Sequence, residues 1–300
     1  MKFLVIGGNA AGMSAASRVK RKSPDTEVVV LEQTHEVSYG ACGLPYYVAG
    51  LNNNLDLMRI RKADQFLANG VDLRLGCDVT GADFTAKTVS YTDENGEAHV
   101  ESYDKLLIAT GSSPKVPPIP GIRQKNIFPL KTLDQAAALK LALESDPKSV
   151  VIVGGGYIGL ELAEACILQK VPEIHIVEAL DRLLNVFDPE FSEMVKAELE
   201  KNGVHIHLGE RVMSFEGEDD KVTAVKTDKD CYAADVVILS IGVSPNTRFL
   251  PEDLEKLGNG AIVTDASMKT SVPDVYAAGD CASVWSKLLD KPMYIALGTN

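Results

Sequence analysis

Two short segments of this chain repeat one pattern, and a chain that carries both is confined to a small set of folds. Val5 to Gly12 reads VIGGNAAG, and Val151 to Gly159 reads VIVGGGYIG. Each begins in a continuous apolar run, turns on glycines and leads into a stretch with helical periodicity. A strand buried on both faces, then a glycine turn, then a helix, is the opening of a βαβ unit. The start of such a helix attracts a pyrophosphate, because its first N–H groups are unpaired and the positive end of the dipole lies there. Both segments therefore read as dinucleotide sites.

Each turn has an acidic residue at the expected distance. In the first, Gly7, Gly8 and Gly12 supply the glycines, Asn9 stands where GxGxxG has its middle glycine, and Ala10 and Ala11 complete the turn. Glu32 ends the next apolar strand, 20 residues beyond Gly12 and just before Gln33, where a carboxylate can hold ribose hydroxyls. In the second turn Gly154, Gly156 and Gly159 match GxGxxG in full, with Tyr157 and Ile158 inside it, and Glu178 follows 19 residues later. Glu178 repels a 2′-phosphate and so favours NADH, while the nearby Arg182 leaves NADPH open.

The rest of the chain is organised around these units. Phe3 to Ile6 predicts a buried strand, residues 12 to 22 a helix, and Val28 to Leu31 a second strand. Residues 71 to 103 alternate short strand-like runs with turn signals such as Asn95-Gly96. KLLIATG (Lys105 to Gly111) gives another buried strand, and a hinge rich in proline (Pro114, Pro117, Pro118, Pro120) follows. Leu133 to Leu143 predicts a helix. The earlier order then recurs: strand Val150 to Val153, helix Leu160 to Gln169, strand Ile174 to Val177, a β-rich insert, and VVILSIG (Val236 to Gly242). The 300 residues suit two domains. The expected fold is α/β, with two Rossmann-like, three-layer dinucleotide-binding domains, the second inserted in the first. The outer domain comprises 1–115 and 245–300, and the inserted one 116–244.

Charge and cysteines exclude several function classes. Against 42 acidic residues there are 30 basic ones, a net charge of −12, which argues against nucleic acid or an anionic membrane as partner. The five cysteines, Cys42, Cys77, Cys166, Cys231 and Cys281, form no CxxC pair; no metal site is expected, and the set suits a reducing cytoplasm. No apolar run approaches the roughly 20 residues of a membrane span. MKFLVIGG is too short in its apolar part for a signal peptide.

GGNAAG, SYGACGLPYY (Ser38 to Tyr47), LLIATGSSP (Leu106 to Pro114), VIVGGGYIGLE and VYAAGD (Val275 to Asp280) together resemble the FAD-dependent pyridine nucleotide–disulfide reductases, from Met1 to Asn300. The resemblance implies FAD in the outer domain, with Thr110, Gly111 and Gly279 around it and Asp280 holding a ribityl hydroxyl. It implies NADH, or NADPH, in the inserted domain, with Gly242 at its edge. It also implies a C-terminal dimerisation domain and a homodimer; the chain ends at ALGTN and so resembles a truncated member.

Within that group the chain is similar to the branch with one redox cysteine: coenzyme A disulfide reductases, persulfide and polysulfide reductases, and NADH oxidases and peroxidases. Tyr47 stands five residues after Cys42, where two-cysteine relatives carry the second thiol, so Cys42 must cycle through a mixed disulfide, a persulfide or a sulfenic acid. A place at the start of a helix (Gly43-Leu44-Pro45) favours its thiolate. Ser38 matches a serine of the same pocket. Peroxidases and many oxidases carry a histidine where this chain has Ala10, which favours disulfide or polysulfide reduction. Tyr46 and Tyr47 match the run of the sulfur-reducing members, or pack in a core. Cys77, Cys166, Cys231 and Cys281 read as buried and inert, Cys281 packed near FAD.

A basic run offers a substrate site. Arg18, Arg21 and Lys22 share one helix face, and Arg59, Arg61 and Lys62 could add to it. In similar proteins this helix holds the coenzyme A nucleotide; the alternative is a solvated face. Asn300 matches an asparagine of the substrate region. The expected function is a flavoprotein that passes electrons from NAD(P)H through FAD to Cys42 and on to a small disulfide, either coenzyme A disulfide or a persulfide or polysulfide. The alternatives are an NADH oxidase or peroxidase working through a Cys42 sulfenic acid, an electron-transfer flavoprotein reductase that ignores Cys42, and a non-enzymatic flavin-binding module.

Overall fold

In the computed structural model the chain is described over residues 1–297 and divides into two compact units. The first comprises Met1–Gly40, Arg59–Ser113 and the part from Ser244 onward. The second comprises Ala41–Met58 and Pro114–Val243. Each contains a five-stranded parallel sheet, and the α/β fold is the doubly Rossmann-like one expected, the second unit's main block lying within the sequence of the first.

In the first unit the strand order is Val275–Ala277, Lys105–Ile108, Lys2–Ile6, Glu27–Leu31, Val71–Arg74, every pair parallel. Alternation along a strand explains why these runs are apolar throughout. Leu4, Ile6, Val29 and Leu31 face one way, toward Val89 and Tyr91 of the antiparallel strands Asp78–Asp83, Thr88–Thr92 and Ala98–Ser102. Phe3, Val5, Val28 and Val30 face the other way, toward Met13 and Ala16 of the helix Ala10–Lys22 and Phe66 of the helix Ala63–Ala68. The sheet is thus the middle of three layers, and each strand must be apolar on both sides.

The second unit repeats this plan. Its order is Ile127–Pro129, Val236–Leu239, Ser149–Val153, Glu173–Glu178, Val204–Leu208. Val151, Val153, Val177, Val237 and Leu239 pack against Phe215, Val222 and Val225 of a second antiparallel layer. The helix Tyr157–Leu168 packs on the strands Ser149–Val153 and Glu173–Glu178. One edge differs in chain order: the strand beside Val236–Leu239 precedes the unit's glycine turn, whereas its counterpart Val275–Ala277 comes last. The helix Leu133–Leu143 has the predicted limits, closed at its start by a capping box between Thr132 and Gln135. The helix Pro189–Lys201 stands where only a β-rich insert was expected; Pro189 at its first turn is the signal that marks it.

Ala41–Met58 also belongs to this unit. Its short helix, Leu44–Val48, buries Leu44 and Val48 and packs against the helices Leu133–Leu143 and Tyr157–Leu168. Gln169 fixes it from the side, donating from Nε2 to the Val48 carbonyl at 2.9 Å.

Candidate functional site

The two glycine turns have nearly the same geometry. Gly7 and Gly154 both lie at φ 107°, in the region that only glycine adopts freely. A Cβ at Gly7 would come within 2.2 Å of the Ala109 carbonyl oxygen, and one at Gly12 within 1.9 Å of the Gly7 carbonyl. Gly154 and Gly159 are closed in the same way, at 2.6 Å from the Ser240 oxygen and 2.1 Å from the Gly154 oxygen. These four glycines are therefore needed to bring strand and helix together. Gly156 differs: nothing lies within 4 Å of where its Cβ would be. The space beside it is open, so a glycine there is not required by packing.

Both helix starts are open to an anion. Neither Asn9 nor Gly156, the residues before the two helices, makes a side-chain cap, and neither first turn holds an acidic residue. The N–H groups that the helix itself leaves unpaired are thus presented outward. The acids at the strand ends are anchored at the turns. Glu32 accepts from the Gly8 N–H at 2.6 Å and from the N–H and Oγ1 of Thr34 at 2.8 and 2.7 Å. Glu178 accepts from the Gly155 N–H at 2.6 Å and the Leu180 N–H at 2.8 Å. A carboxylate has about four lone-pair sites, so each acid keeps acceptor capacity for ribose hydroxyls. Gln33, beside Glu32, turns its side chain instead to Asp78, at 2.9 Å.

The segment at Gly279 closes on the first turn. Gly279 lies at φ 80°, and a Cβ there would meet the Ala11 Cβ at 3.1 Å. The Asp280 carboxylate accepts from Ser112 Oγ at 2.9 Å, and its carbonyl accepts from the Tyr294 hydroxyl at 3.0 Å. Thr110 and Gly111 are held by Asn246, which donates from Nδ2 to the Thr110 carbonyl at 3.0 Å and from its backbone N–H to the Gly111 carbonyl at 3.0 Å. Thr34, Asn246 and Tyr294 are marked only by proximity in the fold, whereas Ser112 lies within LLIATGSSP. In the second unit Tyr157 is exposed at the helix start, edge-to-face with Phe187 at 6.0 Å, and Gly242 lies at φ 95° with open space where a Cβ would be.

Cys42 lies in the one-turn 3-10 segment Ala41–Gly43, which runs directly into Leu44–Val48 with proline in the first turn. Its thiol is exposed. Cys77, Cys166 and Cys281 are buried, and burial pushes the Cys166 thiol up to about 12. Cys231 departs from expectation: it is exposed, because along its strand Tyr232 turns toward the core while Cys231 and Ala233 face the other way. Tyr46 is exposed, and Tyr47 lies beneath the Lys140 ammonium, 5.5 Å from its ring centroid. Ser38, four residues before the cysteine, adopts φ 49°.

The basic run divides. Arg21 lines an open groove of about 380 Å³ together with Ser17, Lys20, Arg61, Gln65 and Asn69. Arg18 and Lys22 are exposed on the helix but are not among the lining residues. Lys20 donates to the Pro24 and Thr26 carbonyls at 2.9 and 3.1 Å, which holds it at the groove wall. Arg59 instead forms a two-pronged ion pair with Glu36, one arm of it 2.7 Å long. Asn300 lies outside the described residues.

The family described as pyridine nucleotide-disulphide oxidoreductase matches residues 1–295. The chain is 37% identical over 303 residues to an NADH oxidase of Enterococcus faecalis, covering all of this chain and 68% of that protein. It is 39% identical over 296 residues to a CoA-dependent NAD(P)H sulfur oxidoreductase of Pyrococcus abyssi, covering 98% of this chain and 65% of that protein. The structure of a water-forming NADH oxidase from Lactobacillus brevis, bound to NADH, superposes with a TM-score of 0.95 at 34% identity, covering all of this chain and 66% of the other. The chain thus spans about two thirds of the length of these relatives.

Proposed function

The chain belongs to the pyridine nucleotide-disulphide oxidoreductase family, and from that premise we propose that it carries electrons from NADH to a small disulfide through Cys42. The observation that carries the reading is the exposed Cys42 thiol at the start of a helix, with Tyr47 rather than a cysteine five residues on. Bound FAD supplies the two-electron step between the nicotinamide and the thiol. The first glycine turn, Glu32 and Asp280 hold it; Glu178 and the second turn hold NADH.

The chain's own part is thiol chemistry. The Cys42 thiolate attacks one sulfur of the substrate disulfide, forms a mixed disulfide and releases one thiolate. Two electrons then cleave the mixed disulfide, restoring Cys42 and releasing the second thiol with one proton from solvent. The groove beside Arg21 and Arg61 offers guanidinium groups to phosphates, which favours coenzyme A disulfide, or a persulfide or polysulfide used with coenzyme A. The CoA-dependent relative supports this choice. Ala10, a methyl group where a proton-managing histidine would serve peroxide chemistry, supports it as well. The whole protein is proposed as a cytoplasmic homodimer. Among the described residues no helix is long and apolar enough to cross a membrane.

A second reading follows from the 37% identity to an NADH oxidase: oxygen as acceptor, with Cys42 cycling through a sulfenic acid. Intact mass of the freshly purified protein, with and without reductant, separates the two. A reductant-labile coenzyme A adduct mapped to Cys42 supports disulfide reduction. A Cys42 carrying only one or two oxygens moves the assignment to the oxidase.

A further inference from the structure

The first glycine turn departs from its pattern at Asn9, and one bond explains the departure. Asn9 precedes the helix Ala10–Lys22, where an asparagine ordinarily accepts an N–H from the helix's first turn. It does not do so here. Its Oδ1 accepts the backbone N–H of Tyr39 at 3.0 Å, three residues before Cys42. The segment around Tyr39 is fastened at further points. The Ser38 N–H donates to the Gly8 carbonyl at 3.0 Å, and the Ser38 carbonyl accepts from the Ile60 N–H at 2.8 Å. Tyr39 bridges to Arg59, whose guanidinium is paired with Glu36. Ser38 itself sits at φ 49°, a conformation unfavourable for a residue with a Cβ, which persists only where its surroundings impose it.

We propose that Asn9 is a positioning residue: its carboxamide fixes the Ser38–Gly40 segment of the first unit, from which the chain runs on to Cys42, while leaving the helix start free for phosphate. Glycine at this place would leave the helix equally open but could not hold Tyr39. A serine or threonine has a shorter side chain and is a common helix cap. The consequence for turnover rests on the proposed role of Cys42; the consequence for the Tyr39 amide does not.

The test compares Asn9→Ala with Asn9→Asp in the FAD-bound protein. Amide exchange is read on a peptide covering Tyr39, together with kcat and KM for NADH in disulfide reduction. Loss of one net hydrogen bond predicts exchange at Tyr39 about tenfold faster in Asn9→Ala, with kcat reduced and KM for NADH unchanged. Asn9→Asp keeps the acceptor oxygen and is expected to restore both the exchange protection and kcat, even if its added charge weakens the hold on FAD. Unchanged exchange at Tyr39 in Asn9→Ala overturns the proposal, and so does faster exchange with an unchanged kcat. A failure of the Cys42 reading shows separately, as turnover that survives Cys42→Ser while the Tyr39 exchange effect remains.

Discussion

Glu178 accepts the backbone N–H of Gly155 at 2.6 Å, which ties the acid at the end of one strand to the glycine turn at the end of its neighbour. Glu32 and Gly8 make the same bond in the other unit. The acid is thereby held beside the turn, and under the proposed function it is the group that meets the ribose of NADH and disfavours a 2′-phosphate. Glu178→Ala is expected to raise the ratio of kcat/KM for NADPH to that for NADH by about tenfold, ~1.4 kcal/mol of relative transition-state binding. An unchanged ratio would remove Glu178 from cofactor selection.

The glycines of the second turn separate folding from binding. Gly159→Ala drives a methyl group into the Gly154 carbonyl, with 2.1 Å available, and is expected to cost about 1–3 kcal/mol. Gly156→Ala meets nothing within 4 Å. That variant is expected to melt within about 2 °C of the parent, yet to bind NADH poorly, because its methyl group would occupy the space proposed for the pyrophosphate. Thermal melts and NADH titrations read the two effects independently.

Thiol labelling should follow burial. Burial raises the Cys166 thiol to about 12 and also pushes up those of Cys77 and Cys281. Iodoacetamide at neutral pH is expected to modify Cys42 and Cys231 and to leave the other three intact until the protein is unfolded, as peptide mapping would record.

A histidine cluster on the second sheet gives the stability a pH dependence. His175 Nδ1 lies 3.1 Å from His207 Nε2, and its ring stacks on His205 at 4.9 Å. Burial first, then the neighbouring His207 and His205, holds His175 below the usual imidazole value, with Glu173 opposing. His207 is lowered too, chiefly by burial and further by His205, against Glu210 and Asp230. A lowered imidazole means that the unfolded chain takes up protons first as pH falls. Stability is therefore full above the unfolded value near pH 6.5 and is lost as pH drops toward the folded values. The melting temperature should fall from about pH 7 to about pH 5, with a shallower slope in His175→Gln. Equal slopes in the two proteins would contradict this.

Much of this architecture is readable in the chain because strand, turn and helix leave local marks. The runs at Val5 and Val151 are apolar at every position because both sheet faces are covered, and Gly7, Gly12, Gly154 and Gly159 are glycines because backbone lies where a Cβ would be. That Glu32 and Glu178 stand beside the glycine turns is legible from their spacing. What is not legible depends on contacts distant in sequence. Nothing in SYGACGLPYY tells that Leu44 and Val48 bury against helices about a hundred residues later. Arg59 reads as a free cation until Glu36 is seen beside it. Asn9 reads as an imperfect glycine until its side chain is seen on the Tyr39 N–H. Cys231 could be separated from the buried thiols only by knowing which face of its strand is covered.

Electrons are proposed to leave through Cys42, and anaerobic turnover of Cys42→Ser with NADH and coenzyme A disulfide, on protein verified to hold FAD, tests this without intermediaries. NADH is expected still to bleach the flavin while disulfide reduction falls to background. Retention of disulfide reduction near the parent rate would contradict it and assign the outlet to another group.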